Sequence, residues 1–199
     1  MKKGLLILLL ATPFIGFGQT ADDYYNKAND YYDNEEYQLA IDNYTKAIRI
    51  DPDDVDLYYF RAFAYEELSQ YEDAIADFTR AISINPEDVD YYFARAILYH
   101  DILKEYEYAI LDYTKAIEIT PDDTILFFSR GDAFFSLKNY KDAIADYTRA
   151  IRIDPDDASL YKDRGIVKEN AGFPYCSDYK RACDLGDEDG CEWYYKQCK

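Results

Sequence analysis

Histidine is nearly missing: His100 is the only one in 199 residues. A Ser-His-Asp or Cys-His relay could be built only around it, and no serine, cysteine or set of metal ligands stands at helical spacing beside it. The chain also lacks an HExxH, a CxxC and a glycine-rich phosphate loop. With so little to support catalysis, the expected protein is not an enzyme, carries no metal and needs no cofactor. Bases are scarce too, 22 lysines and arginines against 40 acids, for a formal net charge of -18. Such a field repels nucleic acid and anionic membrane surfaces, attracts basic ligands or divalent cations, and keeps a long surface soluble.

Apolar runs are short. Leu5 to Ala11 is followed by Pro13, and it falls well below the ~20 residues that span a bilayer. Preceded by the basic Met1-Lys2-Lys3 and followed by Gly16-Phe17-Gly18, it reads as a secretory signal peptide over residues 1–18, cut after Gly18. A membrane anchor is the alternative reading. The first cysteine is Cys176, so no thiol stands near the cut to take a lipid. The mature chain is expected to be periplasmic or secreted, with no integral membrane segment.

What the chain has in abundance is repetition. Tyr58, Ala62, Tyr65, Tyr71, Ala74, Phe78, Ala81 and Pro86 define a unit that recurs every 34 or 35 residues. Its slots hold Tyr24, Ala28, Tyr31, Tyr37, Ala40, Tyr44, Ala47 and Pro52 in the first copy. The third copy holds Tyr92, Ala96, Tyr99, Tyr106, Ala109, Tyr113, Ala116 and Pro121. The fourth holds Phe127, Gly131, Phe134, Tyr140, Ala143, Tyr147, Ala150 and Pro155. Rings three, four and seven apart give each helix an apolar stripe, and the small residues let two helix axes approach. Each copy is therefore a helix, a turn and a helix. The proline and acidic pair that follow, as in Pro52-Asp53-Asp54, end one helix and cap the next. A calcium loop is the other reading of these acids, but the alternating ligands and glycine it needs are absent. Thr20 and Asp23 form a capping-box sequence for the first helix. The third copy carries one extra residue between Tyr99 and Tyr106, expected in the turn between its helices.

The pattern resembles the tetratricopeptide repeat, in an exported bacterial form. The resemblance implies an all-α, right-handed superhelical array: repeats at 21–54, 55–88, 89–123 and 124–157, then a degenerate fifth repeat and capping helix at 158–199. In that family the first helix of each repeat lines a concave groove. Carried onto this chain, the groove slots place Tyr25, Tyr59, Phe93 and Phe128 in one row and Asn29, Phe63, Ile97 and Asp132 in another. Glu66, His100 and Phe135 fall in a third row after Tyr32, with Asp56 and Asp90 at the edge. Family members that hold a peptide's C-terminal carboxylate use lysine and asparagine where this chain has aromatics, which argues against that ligand. By contrast, Asp77, Asp112 and Asp146 share one slot and Arg61, Arg95 and Arg130 another. They read as a structural ladder rather than an acid–base pair.

The four cysteines lie in the last copy. Cys176 and Cys183 are seven apart on one helix, a rise of ~10.5 Å, beyond the reach of a disulfide. Antiparallel helices joined by a short turn then pair Cys183 with Cys191 and Cys176 with Cys198. A four-thiolate zinc site is the alternative, although close cysteine pairs are missing. Cys191, Tyr194, Tyr195 and Cys198 are expected on one face of the closing helix.

The function this implies is non-catalytic: a protein–protein interaction scaffold holding a protein or peptide, with basic segments favoured, in an aromatic, acidic-edged groove. Packing alone is the competing account of the rings. The alternative function is an accessory module that binds envelope carbohydrate or peptidoglycan beside a separate enzyme.

Overall fold

The computed structural model describes residues 19–199. The expected signal peptide and its cut lie outside the described residues. Among the described residues all regular structure is helical, in eleven α-helices: α1 (Ala21–Asp33), α2 (Tyr37–Ile50), α3 (Val55–Glu67), α4 (Tyr71–Ile84), α5 (Val89–Ile97), α6 (Tyr106–Ile119), α7 (Thr124–Ser136), α8 (Tyr140–Ile153), α9 (Ala158–Asn170), α10 (Cys176–Asp184) and α11 (Glu188–Gln197). Helices pack chiefly on their neighbours in the chain, so the molecule is an array of hairpins whose core is a succession of apolar clusters between adjacent helices.

Helix starts follow from the acids. Asp54, Asp88, Asp123 and Asp157 are the N-caps of α3, α5, α7 and α9, and each carboxylate accepts the amide two residues on, at 2.8 to 3.1 Å. For α1 the Thr20 hydroxyl accepts from the Asp23 amide at 3.1 Å while the Asp23 carboxylate accepts from the Thr20 amide at 2.9 Å. The first helix of each hairpin ends on a left-handed residue: Glu35, Ser69, Lys104, Lys138 or Gly172. The next amide then folds back onto the carbonyl of Tyr31, Tyr65, Tyr99, Phe134 or Lys168, a Schellman-type ending.

That common ending corrects the expected place of the extra residue. In the third copy α5 runs into a π-helical stretch, Leu98–Leu103, and the Glu105 amide still reaches the carbonyl of Tyr99, the slot used by Tyr65 and Phe134. The insertion is taken up inside the last turn of the helix. The turn itself is unchanged, because widening one helical turn keeps every backbone bond that a longer loop would lose.

Within each hairpin a large ring from the second helix lies against a small residue of the first. Tyr44, Phe78, Tyr113, Tyr147 and Tyr179 are 1% exposed or less; a side chain of this size stabilises by about 1.5 to 3 kcal/mol when fully buried. Opposite them, Ala28, Ala62 and Ala96 are fully buried, and Gly131 and Gly165 take the same slot later in the chain. At Gly165 the approach is closest, since a Cβ there would lie 2.6 Å from the Tyr179 ring.

The array closes with α10, which starts later than its counterparts because Phe173-Pro174 replaces the first turn. Disulfides join Cys176 to Cys198 and Cys183 to Cys191, with Cα atoms 5.6 and 4.3 Å apart. The closing face keeps the expected Cys191 and Cys198, which bond to α10, and departs from expectation at Tyr195. Gly190 packs on Ala182, Trp193 lies against Tyr179 with ring centroids 5.4 Å apart, and Tyr195 is 58% exposed. Cys198 sits just beyond the helix, at its cap. Among the described residues no helix is long and apolar enough to cross a membrane.

Candidate functional site

The repeated charges are committed to the scaffold. Arg61, Arg95, Arg130 and Arg164 each grip an aspartate on the following helix, Asp77, Asp112, Asp146 and Asp178, through Nε and Nη2. In every case Nη1 donates to a threonine of the preceding repeat, Thr45, Thr79, Thr114 or Thr148, at 2.6 to 3.0 Å. Each arginine thus ties its own helix to the two on either side of it in the chain. The first copy has Lys27 and Asn43 in these slots, and the buried Asn43 Oδ1 has no partner among the described residues.

The rings of the first helices lie beside this ladder. Tyr25, Tyr59, Phe93 and Phe128 each tilt against the buried ring beneath, Tyr44, Phe78, Tyr113 and Tyr147, with centroids 5.7 to 6.1 Å apart. All four are half-buried. The next row is tied to the same buried rings. Tyr44 donates its hydroxyl to Asn29 and Tyr147 donates to Asp132, whereas Phe78, with no hydroxyl, faces Phe63 at 5.4 Å. A buried phenol needs an acceptor and a phenyl does not. The polar residues Asn29 and Asp132 therefore serve the core as well as the surface.

Among the described residues, cavities open between first helices of adjacent repeats. Between α3 and α5, Tyr59, Phe63, Glu66, Asp90, Phe93 and Ile97 enclose about 150 Å³, bringing six of the expected groove residues together. Between α1 and α3, Tyr25, Asn29 and Phe63 line about 410 Å³ with Tyr32, Asp33, Tyr44 and Phe60. Phe128 belongs to a third, of about 190 Å³, between α7 and α9. Asp56 is exposed in the first turn of α3 and lines none of the three. Phe135 lies against Tyr140 at 6.0 Å. His100 meets Tyr106 and Tyr113 edge-on and has Asp101 at 3.8 Å.

In the cavity between α1 and α3, Phe60 and Asp33 are the lining residues that slot reasoning missed. Phe60 occupies a slot held elsewhere by Asn26, Ala94, Ser129 and Asp163, and that contrast was the available signal. Asp163 carries the other distinct feature of this face. Burial first and then Asp132 push its carboxyl up to about 6, against Lys162. Burial also raises Asp132, with the Tyr147 hydroxyl and His100 opposing. Among the described residues no cluster of three His, Cys, Asp or Glu side chains could hold a metal.

Comparison with known proteins agrees with this architecture. A family model described as TPR repeat matches residues 28–69 and 131–172, and two described as tetratricopeptide repeat match 55–88 and 89–123. None of the curated protein sequences compared with the chain matches it. Among solved structures it is similar to a MamA protein, at 18% identity and TM-score 0.76 over 86% of this chain and 94% of that one. MamA from Desulfovibrio magneticus RS-1 aligns at 17% identity and TM-score 0.71, covering 92% and 99% of the two chains. YrrB, described as a TPR protein with an unusual peptide-binding site, aligns at 21% identity and TM-score 0.73 over 88% and 92%. Those likenesses concern the fold. With the matches spread from residue 28 to 172, the chain belongs to the tetratricopeptide-repeat family.

Proposed function

We propose that this protein is a non-catalytic scaffold that holds a protein or peptide partner along the face formed by its first helices. One observation carries the reading: Tyr25, Tyr59, Phe63 and Phe93 form a half-buried row opening into two adjacent cavities, with Glu66 and Asp90 at the second. Rings supply contact area at little entropic cost, and carboxylates at the rim favour basic residues in the partner. The description of YrrB as having a peptide-binding site lends support from a related fold. Two disulfides support an oxidising compartment, in keeping with a periplasmic or secreted protein.

The test is capture from an envelope fraction with the wild-type chain and with a Tyr59→Ala/Phe93→Ala double variant. Partner retention by the wild type and its loss in the variant, at unchanged far-UV circular dichroism, is the expected result. A partner held equally by both would move the binding surface away from these helices.

A further inference from the structure

The cavity between α1 and α3 has a chemistry of its own. Five rings, Tyr25, Tyr32, Tyr44, Phe60 and Phe63, wall it, and Asp33 supplies a carboxylate. Aromatic faces carry the negative end of the ring quadrupole, so several rings around one space favour an ammonium or guanidinium group. Acids gather on the same side: burial, then Glu67, Tyr37, Glu66 and Asp33, push the Tyr32 phenol up. No lysine or arginine is among the lining residues. At about 410 Å³ the cavity is large enough for one long side chain and far too small for a folded segment. The neighbouring space between α3 and α5, about 150 Å³, is much tighter.

We propose that this cavity is the anchor for a single cationic side chain, an arginine or lysine of the partner, with the rings around its head and Asp33 taking its charge. The assignment rests on the peptide-groove reading and adds the chemistry by which the partner is chosen. Phe60 gives the site its specificity within the array, since the corresponding slots of the other repeats bear no ring.

The disulfide-intact protein is titrated with Nα-acetyl-arginine amide and, separately, with the uncharged isostere Nα-acetyl-citrulline amide, and amide shifts are followed by NMR. The arginine probe is expected to shift Tyr25, Asn29, Asp33 and Phe63, and the citrulline probe to leave them in place. Asp33→Asn should weaken arginine binding about threefold, the scale of one partly exposed charge contact. Asp53→Asn, at an exposed carboxylate outside the cavity, should leave it unchanged. Equal shifts from both probes, or arginine shifts confined to other residues, overturn the proposal. A captured peptide that needs Tyr59 and Phe93 but binds equally well with citrulline and norleucine in place of its basic residues would overturn the cation anchor alone and leave the groove standing.

Discussion

Arg95 holds Asp112 by two parallel hydrogen bonds, Nε to Oδ2 at 2.8 Å and Nη2 to Oδ1 at 2.7 Å, and its third nitrogen reaches Thr79 of the preceding repeat at 2.6 Å. The pair is more than a bond within one hairpin. Because Thr79 lies on α4, Asp112 on α6 and Arg95 on α5, a single guanidinium fixes the position of one repeat against the next. Planar, forked donors suit this role in a way that a lysine ammonium does not.

Removing one member should therefore cost more than removing both. Arg95→Leu leaves the buried Asp112 carboxylate without its counter-ion, an expected loss of about 3 to 5 kcal/mol. The Arg95→Leu/Asp112→Leu double variant restores an apolar contact and should recover most of that loss. Urea denaturation of the two variants decides the point, and equal destabilisation would show that the ion pair is not what matters at this position.

Two glycines in equivalent slots should respond in opposite directions to the same substitution. A Cβ at Gly131 would lie 3.4 Å from the Tyr147 ring, an ordinary contact, and one at Gly165 only 2.6 Å from Tyr179. Gly131→Ala therefore keeps the gain in helix propensity, about 0.5 to 1 kcal/mol. Gly165→Ala forces the Tyr179 ring to move and is expected to cost about 1 to 3 kcal/mol through overpacking. Melting temperatures that shift in the same direction for both would contradict this account of the ring-on-glycine contact.

The hairpins, their caps and the charge ladder were legible because each depends on residues that recur at a fixed spacing: Ala62 beneath a ring, Asp88 before a helix, Arg95 opposite Asp112. What was not legible depends on differences of one turn or on partners outside the repeat. An extra residue after Tyr99 reads the same whether it lengthens a loop or widens a helical turn, and only the retained Tyr99 carbonyl contact separates the two. Thr79 stands outside the slots that define the repeat, and only the offset between repeats places it on Arg95. Periodicity put Cys191, Tyr194, Tyr195 and Cys198 on one face of α11; the two cysteines do bond to the preceding helix, whereas Trp193 rather than Tyr195 lies against Tyr179. At the candidate site, slot assignment found the rows but not Phe60, whose ring no other repeat carries in that slot, nor Asp33, whose slot holds acids again at Glu67 and Asp101 and so reads as solvated surface.

Asp163 should give the protein a measurable pH dependence. Its folded carboxyl is pushed up to about 6 by burial and by Asp132, with Asp187 and Asp157 adding and Lys162 opposing, while an unfolded aspartate titrates near ~3.9. A raised acid favours the folded state when protonated, so this contribution is full below about pH 4 and is lost as pH rises through about 6. Asp163→Asn removes the penalty of ionising. The variant should exceed the wild type in denaturant midpoint at pH 7 and match it near pH 4. A difference that is the same at both pH values would show that the substitution acts through packing.

The outer disulfide should stabilise the end of the array without supporting the rest. Cys176 and Cys198 are separated by 22 residues, a loop whose closure in the unfolded chain corresponds to about 3 kcal/mol. The inner bond, Cys183 to Cys191, spans 8 residues and holds only the turn between α10 and α11. A Cys176→Ser/Cys198→Ser variant keeps that turn but frees the far end of α11, where Trp193 covers the Tyr179 ring. Because each hairpin relies mainly on its neighbours, the loss should propagate through α10 into α9 and fade before the first repeats. Hydrogen exchange measures this directly: faster exchange in α11 and α10 with unchanged protection in α1 to α4 is expected. Uniformly faster exchange along the whole chain would mean that the array unfolds as one unit, and that the cap stabilises all of it.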